Sequence, residues 1–163
     1  MDGKSGDAAL AAEPVGYWTG AAQREIVGYI RREMGRLGLT QPQYWVLRQL
    51  SPDDLSPDGQ GLTTGELADR MRTYLRPEDD LEADAADLVA RGLVTRDADR
   101  RLWLADAGRT AHARVKARVP AVRARIHDGI DDADYATVVK VLRRMIDNVA
   151  ERTAERTAER TAG

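Results

Sequence analysis

The chain contains neither cysteine nor phenylalanine. Without cysteine there are no disulfides, thiolate metal centres or thiol redox sensors, which fits a reducing compartment and gives a cytoplasmic expectation. Without phenylalanine, Leu, Val, Ile and a few Trp and Tyr must fill any core, and aromatics make up only 5% of the 163 residues. No apolar run approaches the roughly 20 residues of a membrane span, so no membrane partner is expected. Residues 1–15, rich in Ala, Gly and Asp, carry no signal-peptide core and read as a disordered leader. A strong charge of one sign is also missing. The net charge of −2 excludes nucleic-acid binding by bulk positive charge, leaving only local basic patches.

Motifs for chemistry are scarce as well. Gly3-Lys4-Ser5 resembles the end of a phosphate-binding loop, but the upstream glycine, strand and helix are missing. His112 and His127 share a predicted helix without the i, i+4 spacing of a metal pair. With no nucleophile–base pair or metal cluster in view, neither an enzyme nor a cofactor is expected.

What the chain does contain is helical periodicity. Ala22, Ile26, Ile30, Met34 and Leu37 form one apolar stripe between Tyr17 and Leu37. Thr40-Gln41-Pro42-Gln43 is a capping box that opens a second helix through Trp45, Leu47 and Leu50. Ser51 to Gly61, with two prolines and two glycines, is a loop. Thr63-Thr64-Gly65-Glu66 repeats the capping box and starts a short helix through Met71. After a break at Arg72–Arg76, Pro77 is predicted to begin a helix that runs to about Arg91 and stops at Gly92.

Two short strands, Leu93-Val94-Thr95 and Leu102-Trp103-Leu104, then flank a tip dense in arginine. Asp106 can cap a long helix interrupted by Pro120. A last helix from Asp131 or Asp132 carries Tyr135, Val138, Leu142, Met145 and Val149 at 3-4-3-4 spacing, as in a helix–helix seam. Three Glu-Arg-Thr-Ala copies close the chain and read as a solvated helical extension over 151–163.

A short capped helix, a tight link, a second helix and a hairpin make a winged helix-turn-helix. In that geometry the second helix enters the major groove and the wing approaches phosphate or the minor groove. The fold class is therefore mainly α with a small β-hairpin. The expected domains are an N-terminal dimerisation helix (16–38), the winged unit (39–108) and C-terminal dimerisation helices (109–150). The long terminal helices carry more apolar surface than the winged unit can cover, which implies a homodimer reading inverted half-sites of double-stranded DNA.

Leu39 to Arg48, Leu62 to Met71, Ala90 to Arg96, Asp99-Arg100-Arg101 and Leu104 to Arg109 resemble, in order, successive motifs of the MarR (multiple antibiotic resistance regulator) family. The resemblance covers roughly Tyr17 to Val149. It implies a homodimer whose terminal helices form the interface, often released from DNA by a small-molecule effector. The family's Asp-x-Arg falls on Asp99 and Arg101, where the carboxylate would hold the guanidinium in one orientation. Arg96 and Arg100 would add phosphate or groove contacts.

The chain departs from the family at its recognition helix. Pro77 is followed by Glu78, Asp79, Asp80, Glu82, Asp84 and Asp87, where the family is usually rich in Ser, Thr and Arg. Carboxylates there repel phosphate and could only accept from a base amino group such as cytosine N4. The link from Glu66 to Gly92 is also longer than usual. Arg70, Arg72, Tyr74 and Arg76 are therefore expected as helix-turn-helix contacts, with the acidic run turned to solvent or to other basic residues. A regulator-like dimer without DNA readout, working through protein contacts, remains the alternative. The arginines of the long helix after the wing could face DNA, the acidic helix or a dimer mate. Trp18, Tyr29, Tyr44, Trp45 and His112 are the candidate effector pocket.

Overall fold

The structure is a computed structural model. It describes the backbone of residues 3–161 and the side chains of residues 7–150. Two compact units emerge, residues 1–122 and 123–163.

The first unit opens with α1 (Gly3–Ala11), so the expected disordered leader is helical. Ala8, Ala9 and Ala11 supply the propensity, because alanine gives up no side-chain entropy in a helix. Then α2 (Val15–Ala22) passes through a single π-helical turn, Gln23–Val27, into α3 (Gly28–Gly35). Next, α4 (Gln41–Leu50) starts at the predicted capping box. The Gln43 N–H donates to the Thr40 hydroxyl at 3.2 Å, and the Thr40 N–H donates to Gln43 Oε1 at 3.0 Å. The same reciprocal bonds between Thr63 and Glu66 open α5 (Thr64–Met71).

The second helix of the helix-turn-helix, α6, spans Leu81–Ala90 and does not begin at Pro77. Asp80 caps it by accepting the Ala83 N–H at 3.0 Å. Residues 72–80 form a link outside any helix. Asp79 anchors that link, accepting from the Arg76 N–H at 2.9 Å and from the Arg31 guanidinium at 3.1 Å.

Gly92, at φ +67°, ends α6 in a left-handed C-terminal turn in which the Leu93 N–H reaches back to the Leu88 carbonyl at 2.9 Å. Strand β1 (Val94–Arg96) consequently starts one residue later than predicted. It pairs antiparallel with β2 (Leu102–Leu104), Val94 opposite Leu104 and Arg96 opposite Leu102. Leu62 adds an isolated bridge to Leu102, binding the hairpin to the segment that leads into α5.

Between these elements lies the core. Leu39, Val46, Leu47, Leu67, Met71, Leu88, Val94, Leu102 and Val115 are all almost fully buried. The wing is thus seated on the helix-turn-helix by apolar packing, with its tip left in water. Asp106 is the first helical residue of α7 (Asp106–Ile126), which continues through Pro120.

In the second unit, α8 (Asp132–Thr161) is capped by Asp131, which accepts the Asp134 N–H at 2.7 Å. Along α8 the side chains of Tyr135, Val138, Val141, Met145 and Ile146 are exposed. The side chains of the Glu-Arg-Thr-Ala repeats lie outside the described residues. Among the described residues, no helix is long and apolar enough to cross a membrane.

Candidate nucleic-acid interface

The wing tip is a tight turn from Asp97 to Arg101. The Arg100 N–H donates to the Asp97 carbonyl at 3.1 Å, and the Asp97 N–H donates to the Arg101 carbonyl at 3.0 Å. Arg100 itself sits at φ +60°, a left-handed conformation that side chains other than Asn, Asp and Gly rarely adopt. The turn is organised by Asp97. Its carboxylate accepts from the Trp103 indole at 2.7 Å and from the Arg101 N–H at 2.8 Å, and these bonds hold it below the ordinary carboxylate range.

This corrects the expected clamp between Asp99 and Arg101. Asp99 is exposed at the tip, and the Arg101 guanidinium turns inward. It meets Glu66 of α5 with two nitrogens, at 3.1 and 3.2 Å, and the Gly61 carbonyl at 2.7 Å. Glu66 therefore closes the capping box and grips the wing at once. Its carboxyl is lowered by the Thr63 N–H first, then by the Thr63 hydroxyl and Arg101. The Thr-x-x-Glu spacing was the only local sign of this role. The partner 35 residues away could not be read from spacing.

The other candidate cations also have carboxylate neighbours. Arg72, exposed just after α5, pairs with Asp69 at 2.7 Å. Arg76 in the link approaches Glu78 at 3.5 Å. Arg96 pairs with Glu82 of α6 at 2.7 Å, and Arg100 lies 3.8 Å from the same oxygen. Arg70 is exposed on α5. Tyr74 lies in the link, 58% exposed, with its ring tilted against Trp45 at 5.2 Å. Arg72, Tyr74 and Arg76 consequently sit on an irregular segment and do not form the start of a recognition helix.

The acidic run is largely engaged. Asp79 binds Arg31, Asp84 accepts from the Thr40 hydroxyl at 2.9 Å, and Asp87 accepts from Gln43 and Arg91, both at 2.9 Å. Burial raises the Asp84 carboxyl, with Asp79 and Asp80 adding repulsion. Basic residues of α7 point elsewhere. Arg109 pairs with Asp106, Arg114 reaches the Leu37 carbonyl, Lys116 the Asp53 carbonyl, and Arg118 the buried Glu33.

The expected aromatic pocket is not assembled. Only Tyr44 and His112 come together, stacked at 5.6 Å. His112 is buried and bonds Asp54 at 3.0 Å, while Arg48 binds the same carboxylate at 2.9 and 3.1 Å. Arg48 foremost holds the Asp54 carboxyl low. Trp45 packs on Tyr74, and Trp18 lies exposed beside Tyr17 on α2. Tyr29 is half-buried on α3, outside both groups. An open cleft of about 440 Å³ lies instead beside Arg31, Leu39, Thr40, Gln43, Asp87 and Arg91.

The fold recurs in solved structures. A MarR-family transcriptional regulator from Rhodococcus sp. RHA1 is 26% identical, with 83% of this chain covering 91% of that one at a TM-score of 0.60. The chain has the MarR-family fold. The transcriptional repressor CouR, bound to p-coumaroyl-CoA, matches at a TM-score of 0.64 and 24% identity, over 83% of this chain and 93% of that one. A MarR-family protein of Mycobacterium tuberculosis, in complex with DNA, matches at 0.61 and 22%, over 82% and 98%. No protein-family model matches the chain, nor does any curated protein.

Proposed function

We propose that this protein is a homodimeric DNA-binding transcriptional regulator of the MarR type, which binds a pseudo-palindromic operator and responds to a small molecule. The observation that carries the reading is the arginine-tipped wing, locked to the helix-turn-helix by Arg101, Glu66 and Gly61. A probe fixed in this way presents Arg96 and Arg100 at a set distance from α5 and α6, as simultaneous phosphate and groove contacts require. Similar folds solved with DNA and with p-coumaroyl-CoA support the two ligand classes. The exposed apolar stripe on α8, Tyr135, Val138, Val141, Met145 and Ile146, supports a second copy of the chain as its cover. The alternative of readout through protein contacts has less support, because most carboxylates of the acidic run are already held within the chain.

The test is duplex binding at several salt concentrations, using DNA from the protein's own promoter region. Log K should fall with log salt by about 0.9 per phosphate neutralised. Arg96→Gln with Arg100→Gln should weaken binding to every sequence and flatten that slope. Absence of binding at low salt, or a double variant that binds like wild type, would overturn the proposal.

A further inference from the structure

Glu82 is the one member of the acidic run that reaches the wing. From the second position of α6 its Oε1 accepts from Arg96 Nη1 at 2.7 Å and stands 3.8 Å from Arg100 Nη2. Arg96 lies on β1 and Arg100 at the turn, so a single carboxylate gathers both cations of the hairpin tip onto the helix. The pairing leaves Arg96 incompletely satisfied. Its Nε and Nη2 are buried and have no acceptor. A guanidinium offers five N–H donors in a planar fork, and a phosphate presents oxygens of the charge and geometry that fork matches. Glu82 is 48% exposed in its side chain and Arg100 73%, so a ligand from solvent reaches these two directly, while the buried nitrogens of Arg96, 25% exposed as a side chain, are offered once that side chain swings out from the wing.

We infer that Glu82 is an internal competitor of DNA phosphate, an autoinhibitory contact that occupies Arg96 and Arg100 until DNA displaces it. The inference rests on the DNA-binding reading above. Binding exchanges one anion for another at these two arginines, so they release fewer counterions than free arginines would. Affinity for any duplex is lowered accordingly, and so is the steepness of its salt dependence.

The experiment uses the full chain and a mixed-sequence 30-base-pair duplex, read by fluorescence anisotropy across a salt series, with thermal melts to establish that each variant is folded. Glu82→Gln and Glu82→Ala should each tighten binding about three- to tenfold at low salt and steepen the salt slope. Adding Arg96→Gln and Arg100→Gln should abolish that gain. Tighter binding by Glu82→Gln than by a wild type that itself binds supports the inference. A wild type that binds, with Glu82 variants binding equally or more weakly, overturns it and leaves the DNA-binding reading standing. A gain that persists without Arg96 and Arg100 also overturns it, because loss of general repulsion then explains the effect. If neither wild type nor either Glu82 variant binds duplex at low salt, the DNA-binding reading falls and takes the inference with it.

Discussion

Gly108 sits in the first turn of α7, against the base of the wing, and replacing it with alanine should strongly destabilise the fold. A Cβ there would lie 2.0 Å from the Leu93 carbonyl oxygen and 2.8 Å from Leu104 Cδ1. Real Cβ atoms essentially never approach another atom within 3.0 Å, so the backbone has to yield by an ångström. That carbonyl also accepts the Ala105 N–H at 3.1 Å, which the shift would disturb. In favour of the substitution is the helix preference for alanine over glycine, about 0.5–1 kcal/mol. Against it stand overpacking, about 1–3 kcal/mol, and a weakened buried hydrogen bond, about 1 kcal/mol. The clash wins by about 2 kcal/mol, a fall in Tm of roughly 4–8 °C for a chain of this size. Gly35→Ala is the matched control. It lies at the end of α3 with nothing within 4 Å of its Cβ position, so it should raise Tm slightly. Thermal unfolding followed by far-UV circular dichroism compares the two. A Gly108→Ala protein that melts at or above wild type would refute the packing of wing on α7 described above.

Asp84 and Asp54 should respond to pH with opposite signs. Burial raises Asp84 in the folded state, so the native protein takes up that proton first, and stability rises as pH falls through the raised value. Asp84→Asn should therefore raise Tm at pH 7, and the gain should disappear in acid. Arg48 and His112 lower Asp54, so its stabilisation is present above the unfolded value of about 3.9 and is lost as pH falls through the folded one. Asp54→Asn should lower Tm at pH 7, with the deficit closing in acid; Tm measured from pH 7 down to 3 checks both. At the wing tip, Arg100→Gly relieves a left-handed φ that Arg100→Ala retains. The glycine variant should melt higher by up to a few degrees while both lose DNA affinity equally, and a lower-melting glycine variant would contradict the turn geometry.

Elements whose cause is local were legible in the chain. Both capping boxes work within one turn, through side chains three residues from their targets, so Thr40–Gln43 and Thr63–Glu66 mark helix starts directly. The apolar positions Met34, Leu47, Leu50 and Met71 lie in the core, as their helical spacing predicts. Strand β1 was misplaced by one residue because the Leu93 N–H closes the end of α6, a bond that takes it out of the sheet. Pro77 suits a helix start, but Asp79 is drawn to Arg31, 48 positions earlier, and the chain becomes helical only after Asp80. The family spacing points to Asp99, but the carboxylates that bond Arg101 are Asp97 and Glu66, because those hydrogen bonds depend on the turn this hairpin adopts. The five aromatics of the expected pocket lie on helices whose relative placement no periodicity encodes.

The acidic run shows how a charge count misleads when partners are distant. Read along the chain, six carboxylates between Glu78 and Asp87 describe a helix that repels DNA. In the fold, Asp79, Asp84 and Asp87 tie the link and α6 to α3 and α4, and Asp80 caps the helix. These four are structural, and replacing them with the serines and arginines usual in the family would cost those ties. Glu78 and Glu82 remain; the Thr64 side chain at the start of α5 also bonds Glu82, and the nearest cations of the two are Arg76, Arg96 and Arg100, the groups expected to meet phosphate. Repulsion is therefore the smaller effect, since a paired carboxylate contributes little field at a distance. The larger one is competition for the same arginines, and it is Glu82, touching both sides of the wing tip, on which that competition turns.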